Sequence, residues 1–147
     1  MTEETPPADE EPTTAAVYQW ALLFNDAGDV LCLRPADGDE WTLPGGPLSG
    51  PERQPECLVD RVAETAGLTV RTVMPVEASR FDREGTVGFG VAYLCEVLGD
   101  RTTDLSPAYD NAGWLPAEGV DEATLPRANQ HRCLQAAIGW REWLAEG

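Results

Sequence analysis

Residues Glu40–Leu68 read EWTLPGGPLSGPERQPECLVDRVAETAGL, a Gly/Pro-rich loop running into a helix. Pro55 suits the first turn of that helix and Gly67 its C-terminal stop. Glycines in such a loop let backbone groups approach phosphates or a metal with no Cβ in the way. The helix carries Glu56, Asp60 and Glu64 four residues apart, and one arginine, Arg61, among them. Whether this stretch performs metal chemistry or only keeps the shape for it decides how the chain is read.

The flanks supply strands. AVYQWALLF (Ala16–Phe24) is rich in β-formers and ends at the turn signal NDAGD, after which VLCLRP (Val30–Pro35) returns, so the two are expected to pair as a hairpin. LTVRTVMPVEA (Leu68–Ala78) is a strand that Pro75 should bend or confine to an edge. In TVGFGVAYLCEV (Thr86–Val97) the alternation sends Val87, Phe89, Val91, Tyr93, Cys95 and Val97 one way and Gly88, Gly90, Ala92 and Leu94 the other. The glycine-bearing face admits something close, with a packed helix the expected occupant and a ligand the alternative. GWLP makes a short strand around Trp114. The C-terminal PRANQHRCLQAAIGWREWLAEG is an amphipathic helix with Cys133, Ala137, Trp140 and Leu144 along one stripe. Strands interleaved with two helices imply an α/β fold, a mixed sheet covered on both faces.

Composition narrows the classes. A chain of 147 residues favours one domain that buries about two-thirds of its unfolded surface. Residues 1–15 are acidic and Pro/Thr-rich, and read as a disordered lead-in rather than a targeting signal, which leaves 16–147 as the domain. No apolar run approaches the roughly 20 residues that a bilayer demands. Acidic residues number 26 against 10 basic ones, for a formal net charge of −16, and every basic residue is an arginine. Such an excess repels nucleic acid and acidic lipid, so neither is expected as a partner. It also destabilises the compact state at low salt, a repulsion that molar salt removes. The acid-rich, lysine-free composition resembles that of proteins from salt-accumulating halophiles; an acidic protein of a GC-rich genome is the plainer alternative. Cys32, Cys57, Cys95 and Cys133 form no CxxC pair, and with His131 the sole histidine there is no zinc-ligand spacing. The cysteines read as small buried apolar side chains in a cytoplasmic protein.

The quoted stretch resembles the signature of the Nudix hydrolases, Gly-x5-Glu-x7-Arg-Glu-U-x-Glu-Glu-x-Gly-U with U a bulky aliphatic. Gly46, Glu52, Val62, Glu64, Gly67 and Leu68 fall in register without a gap, and WTLPGG leads into the motif as it does in that family. The order of elements is similar over roughly residues 16–145. The resemblance implies an α/β/α sandwich and, in active members, Mg²⁺- or Mn²⁺-dependent cleavage of a nucleoside diphosphate linked to another group. Carboxylates at i, i+3 and i+4 hold the hard cations that screen a pyrophosphate, and one of them orients the attacking water.

Three positions depart from that pattern: Asp60 stands at the family's arginine, Arg61 at the first helical glutamate and Thr65 at the last. What the resemblance carries over is Glu64 and Glu52 as catalytic carboxylates, Glu64, Asp60 and Gly46 around a metal, and Arg61, Gly45 and Arg80 toward substrate phosphates. Asp60 and Glu64 reach a metal if the helix is slightly rotated; otherwise Glu56, Asp60 and Glu64 form a solvated acidic ridge. Arg61 either forks onto a diphosphate or pairs with Asp60, Glu64 or Glu52. Asp104 and Asp110 are further candidate ligands or turn residues. Arg83 accompanies Arg80, and Trp20, Trp41, Phe81 and Tyr109 are candidate stacking platforms or core. Two functions follow: a divergent metal-dependent pyrophosphohydrolase, or a catalytically inactive module that binds a nucleotide or a protein partner through the same cleft. A small nucleotide-like molecule is the expected ligand.

Overall fold

The computed structural model describes residues 15–48 and 56–146; the acidic lead-in up to residue 14, and Glu52 with its neighbours, lie outside the described residues. Strand β1 (Ala16–Leu23) is one of the two interior strands of a four-stranded sheet. It pairs antiparallel with β3 (Gly45–Pro47) and parallel with β5 (Thr86–Val97), while β5 pairs antiparallel with β4 (Val70–Arg83). Strands β2 (Asp29–Pro35) and β6 (Tyr109–Pro116) form a second, two-stranded antiparallel ladder.

The expected hairpin is therefore corrected. The chain does turn at Asn25, whose Oδ1 accepts from the backbone N–H groups of Ala27 and Asp29, and Phe24 bridges Val30. Beyond that bridge both edges of β1 are already taken by β3 and β5, so β2 departs to pair with β6.

Side-chain alternation distributes the strands between two cores. Ala21, Leu23, Leu31, Leu33, Tyr93, Cys95 and Val97 pack with Leu58, Val62 and Ala66 of helix α1 (Glu56–Ala66). Trp20, Leu22, Val30, Cys32, Ala92 and Leu94 turn the other way, onto Cys133, Leu134 and Ala137 of helix α2 (Gln130–Glu146). The result is a mixed sheet between two helices, the expected α/β/α sandwich.

Local expectations fare unevenly. Pro75 sits on the edge strand β4 beside shifts in register, as its missing N–H and fixed φ require. Gly67 ends α1 at φ +72°, a left-handed value that suits glycine. The stripe on α2 is only half core. Cys133 and Ala137 are buried, but Trp140 and Leu144 are 38% and 45% exposed, and Leu134 and Gln130 are buried instead. All four cysteines are buried and none forms a disulfide.

One buried amide fixes the approach to the glycine loop. Gln130, fully buried at the start of α2, donates through Nε2 to Thr42 Oγ1 at 2.9 Å and accepts at Oε1 from the Leu43 N–H at 2.9 Å. Both partners precede β3, so α2 holds the segment that delivers Gly45 and Gly46.

Candidate functional site

A cavity of about 930 Å³ opens beside β3 and gathers residues from segments far apart in the chain. Its near wall is built from Gly45, Gly46 and Pro47 with the cleft face of α1. The requirement for glycine here comes from the protein itself. A Cβ on Gly45 would stand 2.0 Å from the Gln19 carbonyl oxygen of β1, and one on Gly46 would meet Arg61 Cδ at 3.1 Å and Nη1 at 3.2 Å. Gly45 thus admits the neighbouring strand, and Gly46 admits the arginine.

Helix α1 points Arg61 and Thr65 into the cleft, while Glu56, Asp60 and Glu64 are exposed and none of the three lines it. Rotation of the helix is set by the buried quartet Cys57, Leu58, Val62 and Ala66. Any turn that brought Asp60 and Glu64 inward would lift these side chains out of the core, at about 1.5–3 kcal/mol for each large one. The slightly rotated helix is accordingly not what the fold adopts, and the acidic ridge faces solvent. Positions 61 and 65, where the signature has glutamates, are the ones facing the cleft, so the register of the motif survives without its oxygen ligands.

Arg61 lies against Gly46 and donates through Nη2 to the Pro47 carbonyl oxygen at 2.7 Å. Thr65 turns its hydroxyl back to the Arg61 carbonyl at 2.8 Å, a common tie for threonine inside a helix. Among the described residues, no carboxylate forms an ion pair with Arg61.

The far wall comes from β4 and the loop before α2. Arg80, Phe81, Asp82 and Arg83 line it, with Arg127 and Asn129. Asn129 donates through Nδ2 to the Arg80 carbonyl at 2.8 Å; it and Ala128 adopt left-handed φ of 60° and 50°, an uncommon conformation for non-glycine residues. Tyr18 and Trp20 stack with centroids 5.6 Å apart, and Phe81 leans on Tyr18 at 5.5 Å. The glycine-bearing face of β5 is filled here by rings rather than by a helix. A Cβ on Gly88 would strike Phe81 at 2.6 Å, and one on Gly90 would strike Trp20 Nε1 at 2.6 Å. Helix α2 packs farther along, over Ala92 and Leu94.

Four of the ten arginines therefore line one cleft, with Asp82 the single carboxylate among its described lining residues. Asp82 lies 3.6 Å from Arg80, and Glu40, outside the lining, lies 3.1 Å from Arg127. Arg83 donates to the Tyr18 hydroxyl at 3.2 Å. Tyr109 reports on the field: burial raises its phenol above the usual value, while the charges of Arg61 and Arg127 pull it back down. Both guanidiniums thus act on the same phenol.

The described residues do not fit a divalent ion. No three of His, Cys, Asp and Glu lie together in a way that holds a metal, and the helix face that should supply oxygen presents a guanidinium and a hydroxyl. Asp104 and Asp110 add nothing to the cleft. The Asp104 backbone N–H caps Ala66 at 2.8 Å and its Cβ closes over Gly67, and Asp110 pairs with Arg34 at 3.3 Å. Of the aromatic candidates, Trp20, Phe81 and Tyr109 line the cleft, while Trp41 packs over Gly113 beneath Arg34. Tyr18, Arg127 and Asn129 escaped the sequence reading. Their segments are distant in the chain, and no local spacing marks them.

Comparison with known structures bears out the fold. The chain superposes on the MutT protein of Methanosarcina mazei with a TM-score of 0.71 at 22% identity, covering 86% of this chain and 94% of that one. A NUDIX hydrolase from Nitrosomonas europaea gives 0.75 at 15% identity, with 86% and 90% covered. An ADP-ribose pyrophosphatase from Streptococcus suis gives 0.65 at 23% identity, with 84% and 92% covered. No family model matches the sequence, and no curated protein matches it either. The fold is that of the Nudix pyrophosphohydrolases.

Proposed function

We propose that this Nudix-fold chain binds a nucleoside diphosphate linked to another group, or a close chemical relative, in the arginine-lined cleft. One observation carries the reading: a chain of net charge −16 concentrates four of its ten arginines around a single cavity whose lining includes one carboxylate. Self-repulsion would disperse charges of like sign unless an anion repaid their proximity. Arginine suits phosphate because its planar fork donates two parallel hydrogen bonds. The aromatic group Tyr18, Trp20 and Phe81 in the same lining offers surface for a planar base. A volume of about 930 Å³ lies within the range of small-molecule sites, roughly 300–1,000 Å³.

The second reading is hydrolysis of the bound phosphoanhydride. It is favoured by Glu64, which keeps its place in the motif, and by the structural neighbours, several of which are named as hydrolases or pyrophosphatases. It calls for Mg²⁺ or Mn²⁺ on Glu64 with Glu52 and Asp60, a set that the described part of the cleft does not assemble.

Nucleic acid remains an unfavourable partner for so acidic a chain. Among the described residues no helix is long and apolar enough to cross a membrane. Four cysteines without a disulfide accord with a cytoplasmic location.

Titration calorimetry with ADP-ribose and nucleoside triphosphates tests binding. Release of phosphate or nucleoside monophosphate with Mg²⁺ or Mn²⁺ in high salt tests turnover. Saturable heat without product supports the first reading, and product whose release is lost in Glu64→Gln supports the second. The absence of both removes the cleft from the account.

A further inference from the structure

We propose that Arg61 takes the place of the divalent cation in this cleft, so that a ligand's diphosphate is gripped by a guanidinium with no metal between them. The proposal rests on the cleft-binding reading and adds to it the means of recognition.

The geometry is specific to a cation that belongs to the chain. Positions 61 and 65 are the two on α1 that line the cleft, and they hold a guanidinium and a hydroxyl. Arg61 is seated by its fit against Gly46 and by the 2.7 Å bond from Nη2 to Pro47. That bond occupies one of the five N–H donors of a guanidinium. Arg80 and Arg127 each have a carboxylate within 3.6 Å, but among the described residues Arg61 has none. Its charge is thus held in place and not neutralised by a described neighbour.

Electrostatics then separates the two occupants. A dication entering beside Arg61 meets like charge, with Arg127 also acting on Tyr109, and finds no cluster of described carboxylates to offset its lost hydration. A diphosphate meets opposite charge and a donor fork shaped for its oxygens. The substitution that removes the metal ligand supplies its replacement.

The test uses the full chain, with inorganic pyrophosphate and ADP-ribose as probes, titrated calorimetrically in excess EDTA and again in MgCl₂. Binding in EDTA is expected to be at least as tight as in MgCl₂. Arg61→Gln should weaken it by about ten- to a hundredfold, the range for losing a charge-assisted hydrogen bond. Gly46→Ala is the second variant: it keeps the charge but crowds the guanidinium from its seat, and it should also weaken binding. Arg71→Gln, which removes an exposed charge paired with Glu96 away from the cleft, should bind as the parent does. Melting curves for each variant establish that it is folded. Binding that appears only with MgCl₂, or that Arg61→Gln leaves intact in EDTA, overturns the proposal while the cleft reading stands. Failure of both probes under both conditions defeats the cleft reading, and the proposal with it.

Discussion

The Arg61 guanidinium donates to the Pro47 carbonyl oxygen across 2.7 Å and so ties the cleft face of α1 to β3. In the signature that this region resembles, a glutamate occupies the same helical position. The exchange reverses the sign of charge at the point nearest the glycine strand, and it can be undone. Asp60→Arg, Arg61→Glu and Thr65→Glu together place two carboxylates one turn apart on the inward face. This variant is expected to bind Mn²⁺, measured by electron paramagnetic resonance, where the parent does not. A silent variant would mean that the backbone around Gly46 has also lost its competence for metal.

Replacement of Gln130 by leucine preserves volume but strands the Leu43 N–H in the core and leaves the Thr42 hydroxyl only its 3.3 Å bond to the Leu43 carbonyl. A buried polar group left without its partner costs about 1–3 kcal/mol, so Gln130→Leu should destabilise the chain by roughly 2–4 kcal/mol. The urea midpoint should fall with the slope unchanged. Gln135→Leu, on the exposed side of the same helix, should shift stability by no more than about 0.5 kcal/mol.

Burial pushes the Cys32 and Cys95 thiols up to about 12 and Cys133 to about 11, from 9.0. The folded state therefore holds protons that the unfolded chain releases from about pH 9 upward. The associated stability is fully present below pH 9 and is lost as pH rises toward the folded values. Denaturant midpoints measured in steps above pH 9 should fall, and Cys32→Ala with Cys95→Ala should flatten the decline. Tyr109, raised in the same direction, adds to it at the alkaline end.

Twenty-six acidic residues against ten arginines make the compact state repel itself in dilute buffer. At about 1 M salt the Debye length shrinks to about 3 Å. Melting temperature should climb from dilute buffer to molar KCl, and a flat response would count against adaptation to salt.

Several of these features can be read from the residues alone. The spacing of Gly46, Val62, Glu64, Gly67 and Leu68 announces the loop and its helix, because a helix repeats its faces every three to four positions. The alternation of Val91, Tyr93, Cys95 and Val97 against Ala92 and Leu94 names both faces of β5. Spacing alone does not settle which face of α1 meets the cleft; the burial of Cys57, Leu58, Val62 and Ala66 in the folded chain does, and it turns Arg61 inward. Partner choice is less legible. Nothing local tells β1 to pair in parallel with a strand some seventy residues away instead of folding back onto β2. The far wall is hidden for the same reason: Tyr18, Arg80 and Arg127 converge only once β1, β4 and the loop before α2 have docked.

The makeup of the cleft has one further consequence. Among the described residues, its charged lining is four guanidiniums and the Asp82 carboxylate. The pull of such exposed charges on an approaching anion fades once mobile ions screen them. Salt should therefore act on this chain in two opposed ways, steadying the compact state while blunting the attraction of the chamber.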